Sequence, residues 1–142
     1  MSANRHVLSG IRECSIMLDY VFCAPRRGFY HHPCSKWIRE CSANFNWTIE
    51  HTLALCAEYT FRYDKQHANQ NRIEEYADIG YPFDNHQDNI TPFYQAVAPE
   101  CKQEDAVAAY RAYYLSAKKH LLAYTRREVP DWIKEKGLGR RK

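Results

Sequence analysis

The run PCSKWIRECSANFNWTIEHTLALCAEYTFRYDK, residues 33–65, decides the fold class. After its leading Pro it holds no Gly and no further Pro, and a Pro in a first helical turn costs nothing because the N–H it lacks would be unpaired there anyway. The pattern predicts one helix from Pro33 to about Lys65, long for a globular protein and therefore the spine of the fold. N-terminal to it, Val7, Leu8, Ile11, Ile16, Met17 and Leu18 follow helical spacing and predict a helix from Asn4 to Phe22, which Gly10 weakens without ending. Ala24-Pro25-Arg26-Arg27-Gly28 is a break. Beyond the spine, a shorter helix is expected over His67–Tyr76. An irregular stretch follows from Ile79 to Glu100, carrying Gly80, Pro82, Pro92 and Pro99, and loops of that length are often functional. Helical signals return from Glu104 to Tyr124, with Glu104 and Asp105 where carboxylates suit a helix N-terminus and Lys118, Lys119 and His120 towards the other end. A short helix is expected over Asp131–Lys136, with Pro130 at its first turn. No internal repeat and no convincing strand is read. The expectation is all-α: a compact single domain over 1–136, with about four to five helices around one long central helix and a long Pro-containing loop. Gly137-Leu138-Gly139 is expected to loosen a basic C-terminal tail, 137–142.

Composition narrows the function classes. The 142 residues include eleven Tyr, six Phe and three Trp but only five Gly. Aromatics with a polar tip suit half-buried places, so some should line grooves while others fill the core. The formal charge of +3 is far from that of a dedicated DNA-coating protein. Its cations crowd one end, at Arg126, Arg127, Lys134, Lys136, Arg140, Arg141 and Lys142, either as a solvated tail or as a phosphate contact. No apolar run is long enough to cross a bilayer, and the first residues lack a signal-peptide core. Cys14, Cys23, Cys34, Cys41, Cys56 and Cys101 form no C-x-x-C pair, so they are read as reduced, mostly core residues of a cytoplasmic protein. No Gly-rich phosphate loop, nucleophile elbow or H-E-x-x-H pattern occurs, so no metal and no cofactor is expected.

The spine carries the densest set of candidate residues. Asn44, His51, Glu58 and Lys65 recur every seven positions and form one slowly drifting stripe. Arg62 lies four after Glu58, a spacing that favours an ion pair. Trp37 and Tyr59 run beside the stripe, which is either a ligand wall or an exposed face. His32, next to Pro33, either caps the following helix or donates to a phosphate at its N-terminus. Arg111 and Lys118, seven apart on the later helix, either add cations to a shared cleft or face water. The candidate ligand-binding set is His6, His32, Trp37, Arg39, Asn44, His51, Glu58, Tyr59, Arg62, Lys65, His67, Gln95, Arg111 and Lys118.

Four blocks carry a resemblance: His32–Glu40 (HPCSKWIRE), Leu53–His67 (LALCAEYTFRYDKQH), Thr91–Ala96 (TPFYQA) and Asp105–Tyr114 (DAVAAYRAYY). Together they resemble a group of small helical proteins of tailed bacteriophages, over most of the chain from His6 to Trp132. The resemblance implies a phage origin and a host-cytoplasm setting, and it brings no activity with it. Against that group this chain is expected to lack an extended segment before the first helix. His31 stands where Asn is expected, and Asp64 where Gly is expected. The run from His32 to Lys65 is also similar to phage pyrimidine-dimer DNA glycosylases. Their N-terminal amine nucleophile has no matched counterpart, although Ser2 would become terminal if Met1 were removed.

Three functions follow as expectations. The first is a phage accessory protein that binds a phosphorylated nucleotide-type ligand in an aromatic, mildly basic pocket and sequesters a host anti-phage defence signal. The pocket would lie between the spine, the His31–Pro33 turn and the Pro-containing loop. The alternative is a DNA-binding enzyme of the glycosylase type, with Glu13, Glu40 or Glu58 as its acid. The second alternative is a protein-binding phage factor. The modest charge and the missing catalytic motif favour a binder over an enzyme; a homo-oligomer is left open and a membrane partner is not expected.

Overall fold

A computed structural model describes residues 2–22 and 25–142, so Cys23 and Ala24 of the predicted break lie outside the described residues. The fold is all-α, 60% helical with six helices and 3% strand among the described residues. The helices are α1 (Asn4–Phe22), α2 (Pro33–Glu40), α3 (Ser42–Tyr63), α4 (Gln70–Ile79), α5 (Ala106–Ser116) and α6 (Asp131–Lys134). Contacts gather the chain into two compact units, one of residues 9–94 and one of residues 1–8 with 95–142.

Helix α1 has the expected bounds. Val7, Ile11, Leu18 and Val21 repeat at three, four and seven, and all are buried. Gly10 is tolerated mid-helix for a packing reason: a Cβ there would stand 3.0 Å from Cδ1 of Leu55 on α3. Leu18 and Val21 join Trp37, Ile38, Phe45, Ile49 and Ile73 in the core of the 9–94 unit, so α1 to α4 share one apolar interior. Helix α2 begins as a capped helix should. Pro33 takes the first position, and Nδ1 of His32 accepts the backbone N–H of Cys34 (3.1 Å).

The predicted spine is not one helix. It breaks at Cys41, whose backbone is extended (φ −158°, ψ 164°), and it ends at Tyr63 rather than Lys65. The break survives because both ends it exposes find partners. Tyr81 donates its hydroxyl to the Arg39 carbonyl (2.7 Å), Asn85 donates from Nδ2 to the Glu40 carbonyl (2.6 Å), and Asn44 donates from Nδ2 to the Trp37 carbonyl (2.8 Å). On the other side the Ser42 N–H donates to the Asn85 carbonyl (3.0 Å), and the Ser42 hydroxyl accepts the Gln87 N–H (2.9 Å). The far end of α3 closes on Asp64 in the left-handed region (φ 54°). Helix α4 starts three residues later than expected and pins its only buried residue, Ile73, into the core.

The other unit departs more from expectation. Asp105 caps α5 by accepting the Val107 and Ala108 N–H groups, as its position suggested. The helix stops at Ser116, not Tyr124, and the Ser116 hydroxyl turns back onto the carbonyls of Ala112 (3.1 Å) and Tyr113 (3.2 Å). Residues 123–124 instead pair in parallel with 140–141 as a short two-stranded sheet. The tail expected to be loose is thus tied down. The Arg140 N–H donates to Leu122 and the Lys142 N–H to Tyr124, while Arg141 meets Glu128 at 2.7 Å. Gly139 permits this, since at φ +86° it passes so close to Val129 that a Cβ would sit 2.6 Å from Cγ1.

Candidate functional site

Helix α2 and the segment 92–94 flank an open groove of about 720 Å³. Lys36, Trp37, Arg39 and Glu40 face it from the helix, and Pro92, Phe93 and Tyr94 from the loop. Two side chains hold the loop at Thr91. Buried Asn44 accepts the Thr91 N–H at Oδ1 (3.0 Å) and donates from Nδ2 to the Thr91 hydroxyl (2.9 Å), while the Trp37 indole N–H donates to the Thr91 carbonyl (3.2 Å). Thr91 being fixed, Phe93 lies against Trp37 (ring centroids 5.1 Å apart) and meets the edge of Trp47 at 4.8 Å. Phe93 and Tyr94 nevertheless stay 39% and 45% exposed, so the groove has an unfilled aromatic wall. Behind it His51 stacks on Trp47 (4.8 Å, 12° between planes), and burial pushes the His51 imidazole below its ordinary pKa.

Arg39 sits at the groove's inner corner. Its guanidinium donates to the Ser35 hydroxyl (2.7 Å) and to the Tyr30 carbonyl (2.6 Å), and lies 3.9 Å from the Tyr30 ring centroid. No carboxylate pairs with it among the described residues. A half-buried cation, oriented by neutral groups and lacking a counter-charge, is well placed to receive an anion.

The remaining candidates divide by what already occupies them. Trp37 and Arg39 line the groove, His32 caps the helix that forms it, and Asn44 positions its loop. Arg62 is 2% exposed and donates from Nε to Glu58 at 2.7 Å, the ion pair its spacing suggested. Tyr59 packs on Tyr63 and His67, and His67 accepts the Asn69 N–H at Nδ1. Lys65 is exposed beyond the end of α3. The stripe is therefore not one exposed face: it begins buried at Asn44 and ends in solvent at Lys65. His6, Gln95, Arg111 and Lys118 belong to the other unit. There His6 meets the Tyr114 ring at 4.6 Å, Gln95 clasps the backbone of Gln103, Arg111 lies over Trp132, and Lys118 lies near Tyr113. Burial, with Lys118 and Arg5 nearby, lowers the His6 pKa.

Of the three proposed acids, Glu13 is exposed on α1, Glu40 borders the groove and Glu58 is engaged by Arg62. The thiols of Cys14, Cys34 and Cys56 are all raised by burial, Cys14 to about 11, which makes them poor nucleophiles at neutral pH. Among the described residues no His, Cys, Asp and Glu side chains gather in a metal-holding group of three or more. No described helix is long and apolar enough to cross a membrane. Residues that sequence reasoning passed over include Lys36, Pro92, Phe93 and Tyr94. The signal for the last three was an aromatic pair beside a Pro in a long loop, from which only Gln95 was selected. No family model, no curated protein and no solved structure matches this chain.

Proposed function

We propose that this chain is a binding protein whose groove takes a phosphorylated nucleotide-type ligand. The base would lie on the aromatic wall of Trp37, Phe93 and Tyr94, and the phosphoryl group would meet Lys36 and Arg39. One observation carries this reading: two exposed aromatic rings line a groove with an oriented guanidinium that has no carboxylate partner among the described residues. Stacking is sequence-tolerant and is worth about 1–3 kcal/mol per base, which suits a site with few base-reading groups. In a phage-infected cell such a protein would act by withdrawing a nucleotide signal of host defence from solution.

Calorimetry against nucleoside mono- and diphosphates and cyclic dinucleotides tests the proposal. Saturable heat is expected with at least one class. Phe93→Ala should weaken that binding about tenfold through lost stacking, and Lys36→Gln should weaken it while leaving the melting temperature unchanged, since Lys36 is exposed. Absence of heat and of any thermal shift across the panel overturns the reading.

A further inference from the structure

A second cavity, of about 480 Å³, opens on the other side of Arg39. Its polar lining is Arg26, Arg39, Tyr20 and Tyr30, and its remaining walls are Val21, Phe22 and Phe83. No carboxylate lines it among the described residues. The neighbouring acid, Asp19, is already engaged, accepting the Tyr76 hydroxyl at 2.6 Å and meeting Arg72 at 3.1 Å. Both guanidinium groups address the same ring: Arg39 stands 3.9 Å and Arg26 5.5 Å from the centroid of Tyr30. Two like charges near one ring repel each other, and an anion beside them relieves that repulsion.

Arg39 is preorganised for that anion. A guanidinium has five N–H donors, and two contacts, to Ser35 and Tyr30, occupy only part of them. Those contacts fix its plane, so little side-chain entropy is lost when another acceptor arrives. Arg26 is exposed and can swing onto the same acceptor. Fork-shaped donors in pairs match the oxygens of a tetrahedral oxyanion better than a point charge does.

We propose that this cavity is a second anion subsite, selective for a phosphoryl group, with Arg26 and Arg39 as its paired ligands. Because Arg39 also borders the groove, the occupant is either free inorganic phosphate or a second phosphoryl group of a molecule lying in the groove. The second source rests on the groove reading above; the first does not.

The test follows the arginine side-chain N–H signals by NMR while inorganic phosphate is titrated into the full chain, with chloride at matched ionic strength as control. Saturable shifts at Arg26 and Arg39 are expected with phosphate and not with chloride. Arg26→Gln should weaken phosphate about tenfold, the loss expected for one charge-assisted contact. Arg26 is exposed, so its replacement does not threaten folding; an unchanged thermal melt checks this. A second arm compares a nucleoside 5′-monophosphate with the 3′,5′-bisphosphate. A bisphosphate advantage that Arg26→Gln abolishes identifies the groove ligand as the source, whereas a phosphate response without that advantage identifies the free ion. Shifts that chloride reproduces, or that Arg26→Gln leaves intact, overturn the subsite. If nucleotides fail to bind while phosphate still does, the groove reading falls and this one stands; the reverse pattern separates them the other way.

Discussion

The polar side chains of α3 and those of α2 differ in how far the fold itself supplies their partners. On α3, Asn44 is fully buried and makes three hydrogen bonds to Trp37 and Thr91, and Arg62 is buried against Glu58. On α2, Lys36 and Glu40 are exposed at the groove, and Arg39 is oriented without a carboxylate partner among the described residues. A buried polar group must have its partners inside the fold, because leaving them unmade costs far more than making them returns. A half-exposed cation can leave donors open, since water serves until something better arrives. The difference teaches that polar spacing on a helix identifies interacting groups but not what they interact with.

Three single variants and one double variant can break or sharpen that contrast. The largest effect is expected at Arg62→Met, which removes the guanidinium that Glu58 meets at 2.7 Å in a partly desolvated place and should cost about 3 kcal/mol in urea denaturation. The double variant Glu58→Gln with Arg62→Met should recover part of that loss; a single-variant cost under about 1 kcal/mol would mean the pair belongs with the groove cations instead. Next comes Asn44→Ala, expected to cost about 2 kcal/mol by leaving the Thr91 N–H and the Trp37 carbonyl without their partner. Hydrogen exchange at the Thr91 amide gives the local readout, and undiminished protection there would refute the role assigned to Asn44.

The smallest effect is in the pH dependence. Burial holds the His51 pKa below its ordinary value of 6.5. As pH falls below 6.5 the unfolded chain therefore takes up its proton first, so stability is complete above that pH and is lost progressively towards and through the lowered folded value. His6 and His67 are shifted in the same direction and by burial too, so they add to the slope. His51→Gln should flatten the acid limb of a stability–pH profile between pH 7.5 and 5. An unchanged slope would place His51 in solvent, outside the stack on Trp47.

Much of the fold was legible. The bounds of α1, the His32–Pro33 start of α2 and the Asp105 cap of α5 all rest on contacts within a few residues of one another, which is the range a sequence pattern samples. The Glu58–Arg62 pair was legible for the same reason. The groove was legible only in outline. The Pro-containing loop was recognised as the second wall, but Phe93 and Tyr94 were passed over in favour of Gln95, whose amide is spent on the Gln103 backbone. A side chain's competing partner is invisible until the chain is folded.

Local chemistry in the sequence determined that this chain is helical, where several helices begin, and that its longest helical run carries the most polar candidates. Tertiary structure alone decided that the run breaks at Cys41. No residue there forbids a helix. The break is stable because Tyr81 and Asn85, more than forty positions later in the chain, bond the carbonyls of Arg39 and Glu40, and because Asn85 and Gln87 bond Ser42. Those long-range hydrogen bonds replace the intrahelical ones at little net cost. They also turn α2 away from the line of α3, so that Lys36, Trp37 and Arg39 meet Phe93 and Tyr94 across the groove.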